Sequence, residues 1–197
     1  MSTGFAVSLL CGVVLSAGCG SAAGGTGSAA GGAAATGATG SNSPSTLPAR
    51  AVPYLPSSVK VVTQAGLARE ARFPALASDL GSWGFVSGSD RYFQGESRRL
   101  QVVDSRTLRF SRPDGALAFV GFMRAHAAAI LGSFPILKPY VSLGRSGFLA
   151  IAQQCQCHLA NPALLAVLTH GGVVTWLEIN GPGATRRQLV RLLAGAP

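Results

Sequence analysis

No charged residue occurs in the first 49 positions of this 197-residue chain; all 16 basic and 7 acidic residues lie from Arg50 onward. A folded domain places charges over its surface. A segment with none is therefore a leader, a membrane-associated stretch or a spacer. The break divides the chain into residues 1–18, residues 19–46 and a single domain over 47–197. A domain of that length buries on the order of 70% of its unfolded surface, enough for one core.

Residues 5–18, "FAVSLLCGVVLSAG", form an apolar run of signal-peptide length. It falls short of the roughly 18 apolar residues that a spanning helix needs. The run ends in small residues, Ala17 and Gly18, directly before Cys19. Cys11 lies inside the run, behind the bulky Leu10, and is expected to be removed with the leader. From Gly20 to Thr46 the chain holds only Gly, Ala, Ser, Thr, Asn and Pro. Such a composition offers little apolar area to offset the entropy of ordering. As a flexible coil its 27 residues span roughly 30 Å r.m.s..

The Ala17-Gly18-Cys19 junction resembles the lipobox of bacterial lipoproteins. Ser16 stands where that pattern has Leu, and Met1 to Gly4 carry no positive charge. The resemblance implies cleavage before Cys19, a diacylglycerol on its thiol and an acylated new N-terminus. It implies a domain held on the outer face of the cell membrane, with simple secretion as the alternative. Two acyl chains anchor stably where one does not.

The charged residues are 14 Arg, only 2 Lys (Lys60, Lys138) and the 7 acids, for a net charge of +9. With the abundant Ala and Gly, the composition is similar to that of actinobacterial proteins. The net charge favours anionic surroundings such as anionic lipid, a cell-wall polymer or an acidic envelope protein. An exported domain with little aromatic interleaving argues against nucleic acid as a partner.

Along the domain, "LPARAVPYLP" (47–56) reads as an extended strap, and "SVKVVTQ" (58–64) as a short strand. A helical stretch over 65–82 is interrupted by Pro74 and capped by Gly84. Strands follow at 84–93 and 98–110, the second irregular in its middle as if bulged. "SRPDGALAFVGFMRAHAAAIL" predicts a well-buried helix, with Ser111 and Asp114 in capping-box spacing and Pro113 in the first turn. "YVSLG" is extended, "GFLAIAQQ" (147–154) a strand, and "ALLAVLTH" and "VVTWLEI" a hairpin turning at Gly171-Gly172. A last helix opens with Thr185 and Gln188, again in capping-box spacing. This order predicts an α+β fold: a mostly antiparallel sheet of about five strands, with about three helices packed on at least one face. It is similar to the small extracytoplasmic domains of actinobacterial lipoproteins.

Two groups of residues are candidates for binding chemistry. Arg91, Arg98, Arg99 and Arg109 form an Arg-rich hairpin that either binds an anion or serves as a solvated face discouraging edge pairing. Arg186, Arg187 and Arg191 lie on the last helix, and the first two hint at an anion at its N-terminus. Cys155 and Cys157 are either a tight disulfide or free thiols. With His158 and His170 they also form a candidate zinc or copper set, the basis of an alternative reading as a metal or redox module.

Enzyme signatures fail. "GRSGF" (144–148) has Phe148 where a nucleophile elbow needs Gly. His126, His158 and His170 are scattered, and Asp90, Glu96 and Asp104 are expected to pair with nearby arginines. The sequence therefore predicts a non-catalytic ligand- or partner-binding domain without a cofactor beyond the lipid on Cys19.

Overall fold

The computed structural model of the protein describes residues 46–153 and 161–196. Among them are seven strands and five α-helices, in the order β1 (Ser57–Val62), α1 (Gln64–Ala71), α2 (Leu76–Ser82), β2 (Phe85–Gln94), β3 (Val102–Phe110), α3 (Pro113–Ala125), α4 (Ala127–Leu131), β4 (Ile136–Ser142), β5 (Arg145–Gln153), β6 (Pro162–His170), β7 (Val173–Asn180) and α5 (Arg186–Leu193). The fold is α+β, as the sequence predicts, with more elements than expected. The edges of the sheet are β1, read as a short strand, and β4, read only as the extended stretch "YVSLG". Edge strands show little burial pattern: β1 is exposed along nearly all its length and β4 carries Pro139. That is why their sequences read weakly.

All the strands join one antiparallel sheet in the order β1-β2-β3-β7-β6-β5-β4. The chain builds β1 to β3 as neighbours and crosses through α3 and α4 to the far edge. It then returns as a meander that closes against β3. Arg72, with φ 60°, separates α1 from α2, and α2 ends into Gly84, with φ 78°. The long central helix is broken at His126, whose ring lies 4.3 Å from that of Phe73 and 4.4 Å from that of Phe122.

The two ends predicted to be capped differ. Thr185 accepts a hydrogen bond from Gln188 N as expected. Ser111 does not cap α3: its N–H goes to the Gly84 carbonyl at 2.8 Å, and the N-cap is Arg112. At the β6–β7 turn Gly171 has φ 56°, and a Cβ on Gly172 would stand 2.5 Å from the Phe110 carbonyl oxygen, so both glycines are required.

Helices cover both faces of the sheet. On one face α1 to α4 bury Leu80, Phe119 and Met123 against Leu108, Phe148, Val167 and Val174. On the other, the strap and α5 bury Leu47, Val52, Leu189 and Leu193 against Phe93, Val103, Leu164, Leu177 and Ile179. The sheet thus lies between two cores, and β3 and β7 run through its middle.

Candidate functional site

The run Asp104-Ser105-Arg106-Thr107 looks irregular in sequence, yet β3 pairs with β2 and β7 without a break there. There is no bulge in β3; the one register shift of the β2–β3 pair lies between Phe85 and Ser87. All four residues of the run are buried, two on each face of the central strand. On the α1–α4 face, Arg106 donates from Nε and Nη2 to Asp104 at 3.1 and 2.6 Å. Its Nη1 pairs with Glu70 of α1 at 2.5 Å. Its guanidinium carbon sits 4.5 Å from the centre of the Trp176 ring. Residues i and i+2 of a strand share a face, so the planar fork meets the carboxylate squarely. Burial opposes the charge on Arg106, but Asp104, Glu70 and Asp90 together hold it as a cation.

More acids gather here than Arg106 can neutralise by itself, and Lys60 of β1 stands opposite Asp90 at the edge of the group. Asp90 shares a rung with Arg106, while Tyr92, Asp104 and Glu178 share the next. Four of the chain's seven acidic residues thus surround one guanidinium. Burial pushes the Asp90 carboxyl up to about 7, helped by the Asp104 charge and by a hydrogen bond to Asp104, against the pull of Arg106. Burial, then Asp104, pushes Glu178 up to about 7 as well. Tyr92 is also raised, by burial and then by the Asp104, Glu178 and Asp90 charges. Burial and crowded negative charge thus bring Asp90 and Glu178 to titrate near neutrality. Asp90 Oδ1 and Trp176 Nε1 are buried without a hydrogen-bond partner. Solvent approaches through a cleft of about 50 Å³ between β1 and α1, lined by Lys60, Thr63, Gly66, Glu70 and Asp90 among others. That volume suits a water molecule and no organic substrate.

The opposite face presents a different site. The strap is pinned by Leu47 N–H donating to Ser105 Oγ at 3.2 Å, and it turns through a short 3-10 segment at Ala49–Ala51. Arg145, buried at the start of β5, donates to Thr175 Oγ1 at 3.0 Å and to the carbonyls of Leu193 and Ala196 at 3.2 and 3.3 Å. It thereby satisfies carbonyls at the C-terminal end of α5; burial lowers its pKa. Between strap and helix lies a cleft of about 370 Å³. Its apolar lining comes from Leu47, Pro48, Ala51, Pro53 and Leu192, and its polar groups from Tyr54, Arg99, Gln188 and Arg191.

The four hairpin arginines do not converge. Arg99 lines the strap–α5 cleft; Arg98 is exposed in the same loop. Arg91 and Arg109 point to the α5 side from rungs about 13 Å apart along the sheet. Arg91 Nη1 lies 3.4 Å from Ser57 Oγ, and Arg109 is exposed. On the last helix, Arg186 stacks 5.6 Å from the Tyr140 ring centre, and Arg191 reaches the cleft beside Arg99.

Cys19, Cys155, Cys157 and His158 lie outside the described residues. His170 ends β6 at the β6–β7 turn, with Nδ1 3.1 Å from the Gly144 carbonyl. About 26 Å of strand separates it from Pro162. "GRSGF" forms the β4–β5 turn and the start of β5; Leu143 and Gly144 both have positive φ, at 55° and 73°. Ser146 therefore stands on a strand and not at a strand-to-helix elbow. Asp104 does pair with an arginine, as expected.

The sequence suggested arginine partners for Asp90 and Asp104 but did not gather them with Glu70 and Glu178 around Arg106; the further signal was an unbroken polar run inside an otherwise apolar strand.

No family model matches this chain, and no curated protein matches it. Among solved structures it is similar to the extracellular domain of PknH from Mycobacterium tuberculosis, with a TM-score of 0.46 and 14% identity over 71% of this chain and 79% of that one. No helix among the described residues is long and apolar enough to cross a membrane.

Proposed function

We propose that this protein is a lipid-anchored extracytoplasmic domain that binds an anionic amphiphile in the strap–α5 cleft and does not turn it over. One observation carries the reading. Arg99 and Arg191 come from separate elements and meet at one apolar-lined cleft. A guanidinium remains charged at any physiological pH and suits phosphate or carboxylate. Gln188 and Tyr54 add an amide and a phenol. The group is equipped to hold an anion rather than to relay a proton. The apolar lining gives an acyl or similar segment a place to lie.

The test is a calorimetric titration of the full-length protein with a short-chain phosphatidylglycerol below its micelle concentration, with the phosphatidylcholine analogue as control. The anionic lipid is expected to bind saturably. Arg99→Gln with Arg191→Gln is expected to weaken it at least roughly tenfold, since hydrogen bonds to charged groups contribute about 1.5–3 kcal/mol each. Equal binding of both lipids, or an unaffected double variant, ends the reading.

The anchor rests on the lipobox-like junction at Cys19. A fatty-acid probe should label the wild type in cells and leave Cys19→Ala unlabelled; equal labelling of both refutes it.

A further inference from the structure

One layer of the fold carries charge of a single sign. The strap and α5, over residues 46–56 and 181–196, carry Arg50, Arg186, Arg187 and Arg191 and no acidic residue. The layer on the other face mixes both signs, and the Glu70–Asp90–Asp104–Glu178 cluster lies beneath it. On α5 the inward residues are Leu189, Leu192 and Leu193, so its arginines face outward. Tyr54 and Val190 are exposed among them, at 41% and 38%. Cations interspersed with an aromatic and an aliphatic group are what the boundary of an anionic bilayer accommodates. Leu47 of the strap is pinned on this layer by its hydrogen bond to Ser105 Oγ.

We propose that the strap–α5 layer is the face on which the domain docks to an anionic lipid bilayer, the cleft facing the head groups. This rests on the anchored, anion-binding reading above, but it adds an orientation and a surface wider than the cleft. Charge complementarity selects the occupant. Arginines near a negatively charged membrane surface act together within a Debye length of about 8 Å at physiological salt. A neutral bilayer offers them nothing comparable.

The test uses the full-length Cys19→Ala protein, which carries no acyl chain to insert by itself, with vesicles of equimolar phosphatidylglycerol and phosphatidylcholine, and with phosphatidylcholine alone. Hydrogen exchange is followed in 47–56 and 186–194 and, for comparison, in 64–82. Slowed exchange confined to the first two segments, on anionic vesicles only and reversed by high salt, is expected. Arg50→Gln with Arg187→Gln, both outside the cleft lining, should weaken vesicle binding roughly 30-fold while leaving short-chain phosphatidylglycerol titrations unchanged. Arg69→Gln with Arg124→Gln removes the same charge from the other layer and should have little effect. Equal losses from the two pairs, or protection of 64–82 instead, overturn the docking face without touching the cleft. Protection of the layer at high protein concentration without lipid also overturns it, in favour of a second copy of the chain.

Discussion

Asp90 and Arg106 face each other on one rung of the sheet, yet Arg106 gives its guanidinium to Asp104 and Glu70 and leaves Asp90 Oδ1 without a partner. The domain therefore buries a carboxyl group whose charged form is poorly supported. The energetic consequence is a stability that depends on pH.

The direction follows from the shift. Asp90 rises from 3.8 in the unfolded chain to about 7 in the fold, so the folded state binds more protons between those values. Stability is then greatest at the acid end of that window and falls as pH rises through about 7; Glu178, also near 7, acts in the same direction. Asp90→Asn keeps the size and removes the ionisation. It should leave stability at pH 4.5 nearly unchanged and raise it at pH 8 by on the order of 1–3 kcal/mol. Urea melts at the two pH values decide the matter, and a wild-type stability that rises from pH 4.5 to 8 contradicts the account.

The same geometry ranks the two partners of Arg106. Arg106→Leu strands the buried Asp104 carboxylate and should cost about 3–5 kcal/mol. Glu70 is 56% exposed at its end of the pair, so Glu70→Gln should cost about 0–1 kcal/mol. Equilibrium unfolding measures both, and similar costs would show that Arg106 is not the centre of the cluster. If Arg106→Leu fails to fold, the double change with Asp104→Leu should recover folding by removing the stranded charge.

The two sites differ in how far they could be read from the sequence. The well-buried helix of "SRPDGALAFVGFMRAHAAAIL" and the turn at Gly171-Gly172 were legible because burial and φ leave a local signature. The polar run of β3 was misleading. Alternation predicts polar residues facing solvent, and here both faces are covered, so a buried ion network imitates a bulge. The cleft was half legible. Arg99 and Arg191 each stood out, but their meeting depends on a strap laid over the sheet and on a helix that follows β7. No spacing along the chain encodes that.

Arg145 ties the cleft to the core. It holds the carbonyls of Leu193 and Ala196, while Leu192 and Gly195 line the cleft. Arg145→Lys keeps the charge but not the fork that reaches Thr175 and two carbonyls at once. It should lower stability by about 1–3 kcal/mol and weaken short-chain phosphatidylglycerol binding several-fold, although Arg145 is not a lining residue. Unchanged affinity in a destabilised variant would separate the helix end from the site.

Two glycines of α3 should respond in opposite ways to the same substitution. A Cβ on Gly115 would stand 1.7 Å from the Trp83 carbonyl oxygen, inside the backbone contact that seats α3 behind α2. Nothing flexible is there to yield, so Gly115→Ala should cost on the order of 3 kcal/mol. Gly121 is exposed and has open space around its Cα. Gly121→Ala should stabilise by about 0.5–1 kcal/mol, because alanine loses less backbone entropy in a helix. Thermal melts of the two variants should move to opposite sides of the wild type. A fall for both would mean that the exposed face of α3 is occupied by something the helix packs against.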